Sequence, residues 1–248
     1  MTSDSTDATV YVGKLAAAQR QIDAAIRMLF EDEDMLAVHT VAAAAYGILR
    51  ALNEGRGHDE ISDRHRDMFF YLARDLATGR LATVPDWLAS APDMVEAVQH
   101  LATEIRSGRL RGLNDLRVDV PTPPRAFWAN FNRPANFLKH ANVDPGGLLQ
   151  LDDVDNATLF IWSISGYLDL GQKPTPEMMA YVAYVAVDLG NLDGLDARVL
   201  PLAARLEECS PGERGAICRA WVKDRRAQTA ARVRAAPAPL GVVGATEK

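Results

Sequence analysis

The chain has 248 residues, 48% of them hydrophobic and 24% charged, with a formal net charge of −6; these are ordinary globular values with length enough for a sizeable core. Its two cysteines, Cys209 and Cys218, come late and lack metal-type spacing, which argues against a disulfide framework and a zinc site. The opening "MTSDSTDATV" has no basic or apolar leader segment, and no apolar run approaches the roughly 20 residues that span a bilayer, so a cytoplasmic protein with no membrane partner is expected.

Helical periodicity dominates from the start. Leu15, Ile22, Ile26, Leu29 and Phe30 stack on one face of a first helix. The acidic "EDED" at 31–34 breaks it, and Asp34 is a good N-cap for a second helix. That helix carries Val38, Val41, Ala45, Ile48, Leu49 and Leu52 on one stripe, with "AAAA" at 42–45 allowing close approach. An αα-hairpin results. A third helix is expected from Ser62 or Asp63 to Gly79, and Pro85 and Pro92 suit the first turns of further helices. Residues 107–124 have no sustained period and read as a long loop. Helices are then expected from Asn132 or Arg133, from Asp155 to Leu170, from the Thr175–Pro176 cap, and as a last pair over about Leu195 to Arg234.

No segment alternates as a strand for long, so the fold class is all-α, a helical bundle. The boundaries read as a disordered N-terminus at 1–9, a bundle domain at 10–205, a basic C-terminal helix at 206–234 and a disordered Pro/Gly/Ala-rich tail at 235–248. Charge is unevenly spread. Between Arg214 and Arg234 seven basic residues face one acid, Asp224, a net +6, so the remainder carries −12. An anionic partner for that end, with Arg225 and Arg226 as contact residues, stands beside self-association with the acidic body and a plain solvated helix.

Familiar signatures are missing. There is no GxxxxGK[ST], no GxGxxG after a strand and no HExxH; "SISGY" at 163–167 lacks the glycine before the serine of a nucleophile elbow. "HDEISDRHRD" at 58–67 looks metal-like, but Arg64 and Arg66 would repel a dication and acids suit a helix start anyway, so no metal and no cofactor is expected. His39, in "AVHTVAAAA", flanks the apolar stripe of its helix, where either a satisfied half-buried role or a binding role fits.

The densest chemistry lies in "NRPANFLKHANVDPGG", 132–147. Pro134 is best tolerated in a first turn, and a helix starting there sets Arg133, Asn136 and His140 at +3 and +4 on one stripe. Histidine moves protons near neutral pH and arginine holds phosphate, with asparagine to orient either, so the triplet fits metal-independent RNA cleavage with Arg133, His140 and Asn136 catalytic and Lys139 binding. The same residues equally suit tying the helix start and the following loop to nearby backbone.

Two resemblances meet in this segment. "AVHTVAAAAYGIL" at 37–49, "NFLKHANVDP" at 136–145 and "DNATLFIWSISGYLDLGQKPTPEM" at 155–178 together resemble a bacterial all-helical family with an "NFFKHADRDP"-like motif, over about residues 14–190. That family brings no activity to transfer. "RPANFLKH" also resembles the Arg-x(4–6)-His pattern of HEPN domains, with Pro134 where those domains usually place a polar residue. That likeness implies an all-α RNA-binding or RNA-cleaving protein, often a homodimer in a defence or toxin–antitoxin setting, with Arg133 and His140 as its pair. The competing expectation is a non-catalytic helical module that holds a protein partner.

Overall fold

The computed structural model describes residues 11–57, 60–85, 88, 91–116, 125–140, 142–190, 192 and 195–235. Residues 1–9 and 236–248 of the termini expected to be disordered, and all of "RVDVPTPP", lie outside the described residues. Among the described residues there are nine α-helices and no strand, as the periodicity predicts. They are α1 (Lys14–Phe30), α2 (Met35–Glu54), α3 (Glu60–Ala77), α4 (Pro92–Arg106), α5 (Arg125–Lys139), α6 (Asn156–Asp169), α7 (Pro176–Asp188), α8 (Leu200–Glu207) and α9 (Pro211–Ala235).

Local signals set the helix starts. The Asp34 carboxylate accepts from the N–H groups of Leu36 and Ala37 at 2.9 and 3.1 Å, capping α2. Asp155 caps α6 by accepting from Thr158 N–H, and Thr175 caps α7 by accepting from Met178 N–H with Pro176 behind it. The hairpin turn between α1 and α2 is closed by Asp32 at φ 58°, a left-handed conformation aspartate tolerates.

One start differs from expectation. α5 begins at Arg125, not near Asn132, and Pro134 lies in its interior. The cost of a proline there is offset by packing: Trp128, Phe131 and Pro134 turn inward, and the Phe131 ring centroid lies 4.5 Å from that of Trp162 on α6. The long loop of 107–124 holds a short 3₁₀ turn, Leu113–Asp115. The last helical pair begins at Leu200 rather than near Leu195.

The chain divides into two compact units, Met1–Ile22 with His39–Gln172 and Asp23–Val38 with Lys173–Lys248. In the first unit, α2 and α6 run parallel, because their contacts advance together: His39 with Asn156, the Tyr46 ring with Trp162, and Asn53 Nδ2 donating to Gly166 O at 3.0 Å. α3 and α4 share a separate apolar core that includes Phe69, Ala73, Leu88, Val98 and Leu101. Arg64, buried on α3, is ion-paired to Asp169 at the end of α6 and to Asp67. By length and composition α2 could cross a bilayer, with a mean hydropathy of 1.5, contrary to the expectation that no run is long enough. In this unit its inner face is taken up by α6.

In the second unit α7, α8 and α9 pack together. Phe30, at the end of α1, meets Tyr184 with ring centroids 5.8 Å apart. Gly215 lets α9 come close to that point, since a Cβ there would sit 3.0 Å from the Phe30 carbonyl oxygen.

Candidate functional site

α2 and α5 frame a cleft in the first unit. His39, Ala43, Tyr46, Gly47 and Arg50 recur at helical spacing along one face of α2, and Phe131, Asn132, Ala135, Asn136 and Lys139 do so along α5. Leu159 of α6 adds the floor, and the cavity measures about 160 Å³. Tyr46, Trp128, Phe131 and Trp162 pack ring against ring and join α2, α5 and α6 beside it.

His39 is only 3% exposed. Its Nδ1 lies 2.9 Å from the Asn156 Oδ1, an atom that can only accept, so Nδ1 carries the proton and Nε2 has the lone pair in the neutral ring. Burial holds the imidazole below its ordinary pKa; the Asn156 bond and the Asp155 charge oppose that shift, and the Lys139 charge adds to it. Lys139, the last residue of α5, is exposed with no ion pair among the described residues. Arg50 Nε is buried and lies 3.5 Å from the Glu54 carboxylate without forming a hydrogen bond. Asn132 Nδ2 donates to Trp128 O at 2.8 Å, which fixes its amide at the cleft edge.

The triplet predicted from the sequence is not gathered in this cleft. Asn136 lines it. Arg133 donates instead to Asp153 Oδ2 at 2.6 Å and to Leu148 O at 3.1 Å, tying α5 to the segment that precedes α6. His140 follows the helix end, exposed, with its backbone N–H on Asn136 O at 3.0 Å. Of the residues expected to bind, Lys139 and His39 join Asn136 in the cleft.

Arg225 and Arg226 lie on α9 in the second unit. The Arg225 guanidinium covers the Trp221 ring, 5.1 Å from its centroid. Arg226 is ion-paired to Glu177, a carboxylate 1% exposed that also takes Arg27 Nη1 at 2.7 Å. Beside them the buried Asp23 accepts from Thr175 Oγ1 at 2.6 Å, and burial pushes its carboxyl up to about 6. Much of Arg226's charge is therefore spent inside its own unit. In the metal-like stretch, His65 packs edge-on to Phe69, centroids 4.7 Å apart, and burial lowers its pKa to about 4.

Sequence reasoning missed Arg50, Asn132, Tyr46, Phe131 and Gly47. The available signal was the +4, +3, +4 spacing of His39, Ala43, Tyr46 and Arg50, which marks one helix face. No protein-family model, curated protein or solved structure matches the chain.

Proposed function

We propose that this chain is an RNA-binding helical protein whose α2–α5 cleft holds RNA without cutting it. The observation that carries the reading is the convergence of Lys139, Arg50, Asn132 and Asn136 on one cleft with an aromatic wall of Phe131 and Tyr46. Cations and amides take phosphate oxygens, the part of the chain that an RNA of any sequence offers. Binding is favoured over cleavage because Arg133, half of the HEPN-like pair, is ion-paired to Asp153, and neither it nor His140 lines the cleft.

The test is anisotropy with a labelled single-stranded RNA across a salt series, with the same RNA run on a gel after incubation in EDTA. The reading expects salt-dependent binding, weakened by Lys139→Ala, and intact RNA. No binding at low salt would end it; cleavage that leaves a 2′,3′-cyclic phosphate and is lost in His140→Ala would replace it with the ribonuclease.

A second reading, the non-catalytic protein-binding module, draws on a different observation. Phe137, Val143, Leu148 and Leu151 are exposed large apolar residues within one short stretch of chain, Leu148 at 86%.

A further inference from the structure

The RNA reading leaves open which part of an anionic ligand enters the cleft, and the inference here rests on that reading. The cavity of about 160 Å³ is smaller than the roughly 300–1,000 Å³ that encloses a whole small molecule. It fits a group, not a nucleotide. Among its lining residues three donors have no side-chain hydrogen bond among the described residues: Asn136 Nδ2, Lys139 Nζ and, when it carries a proton, His39 Nε2. Arg50, further along α2, is ion-paired to Glu54 at 3.5 Å with its Nε closed to solvent, so it does not join them.

Charge and shape narrow the group further. Lys139 is cationic and has no ion pair among the described residues, with Asp155 near His39 as the acid at hand, while the charge of Arg50 is taken up by Glu54. A phosphodiester brings one negative charge, whereas a monoester brings about −1.5 to −2 and three acceptor oxygens. Room exists for it: a Cβ built on Gly47, mid-helix on the α2 wall, would meet no atom within 4 Å.

We infer that the cleft is a site for a phosphate monoester, the terminal phosphate of an RNA or of a small phosphorylated molecule, held by Lys139, Asn136 and the Nε2–H of a protonated His39. Proton uptake accompanies binding, because burial keeps the ring neutral near pH 7 until the anion arrives. The groups acting on His39 are Asp155 and Asn156 from the start of α6 and Lys139 from α5, with Asn136 beside Lys139 on the cleft wall. Asp155 favours the added proton and Lys139 opposes it, so the phosphate must supply the balance.

The experiment compares one RNA sequence in three forms, 5′-phosphorylated, 3′-phosphorylated and hydroxyl-ended, and follows the His39 ring by NMR while inorganic phosphate is added. A phosphorylated end is expected to bind about tenfold tighter than the hydroxyl-ended RNA, and phosphate is expected to raise the pH at which His39 titrates. Lys139→Ala, an exposed substitution that leaves the fold alone, should erase both effects, and His39→Gln should erase the preference for the phosphorylated end. Equal binding of all three RNAs, weakened by Lys139→Ala, with His39 unmoved by phosphate, overturns the monoester site and leaves the RNA reading standing. Movement of His39 by phosphate with no RNA bound supports the site, assigns a small phosphorylated molecule, and sinks the RNA reading. If neither RNA nor phosphate has any effect, both fall.

Discussion

His39 Nδ1 and Asn156 Oδ1 lie 2.9 Å apart, joining the wall of the cleft on α2 to the first residue of α6. The bond fixes the tautomer and leaves Nε2 as the ring atom with chemistry to spare. It also raises the histidine's pKa against the stronger effect of burial. Asn156→Ala should therefore push the His39 titration lower still, read by NMR, and cost on the order of 1–3 kcal/mol through an unpaired buried N–H. An unchanged titration would show that the amide does not set the ring.

Gly47 gives a second test, in which stability and binding move in opposite directions. A helix-interior glycine costs about 1 kcal/mol relative to alanine, and a Cβ at this position meets no atom within 4 Å. Gly47→Ala should raise the melting temperature while narrowing the cleft and weakening phosphate or RNA binding. If both the melt and the affinity rise, the glycine is not there to make room.

Asp23 makes stability depend on pH in a stated direction. Its folded pKa of about 6 lies above its ordinary 3.8, so the folded state binds the extra proton, and the stability it brings is full below about 3.8 and lost as pH rises through about 6. Asp23→Asn keeps an acceptor for Thr175 and removes the titration. Denaturant melts from pH 4 to 8 should show the variant gaining about 2–3 kcal/mol on the parent at the upper end. His65 acts oppositely: its lowered folded value means that stability is present above about 6.5 and lost as pH falls toward about 4. A parent-minus-variant difference that stays flat across this range contradicts the Asp23 assignment.

Arg133 is read as a tether, not a catalyst. Its side chain is half exposed in the pair with Asp153, so Arg133→Ala should cost only about 0–1 kcal/mol. Hydrogen exchange should quicken in residues 148–153, where its two acceptors lie. Unchanged exchange in that segment would show that the tether holds nothing.

Much of the fold was legible because its punctuation is local. Asp34, Asp155 and the Thr175–Pro176 pair each cap the helix that the sequence assigned to them. α5 was misread at its start because Pro134 looked like a first-turn residue, while the packing that tolerates it comes from Trp162, about thirty positions away on α6. The cleft was half legible for the same reason. His39, Asn136 and Lys139 drew attention through their own neighbours in sequence. Arg50 and Asn132 become site residues only when α2 and α5 face each other, a long-range pairing that no short spacing encodes. The division into two units is likewise a property of packing, since α1 and α2 each contribute to both.

The measurement closest to the central claim is where RNA touches the chain. A single-stranded RNA carrying 4-thiouridine, crosslinked by light and mapped by mass spectrometry, should leave its adducts on peptides holding Tyr46 and Phe131 to Lys139. Lys139→Ala should reduce those adducts without moving them. Adducts confined to α9, or none above background, would contradict the account.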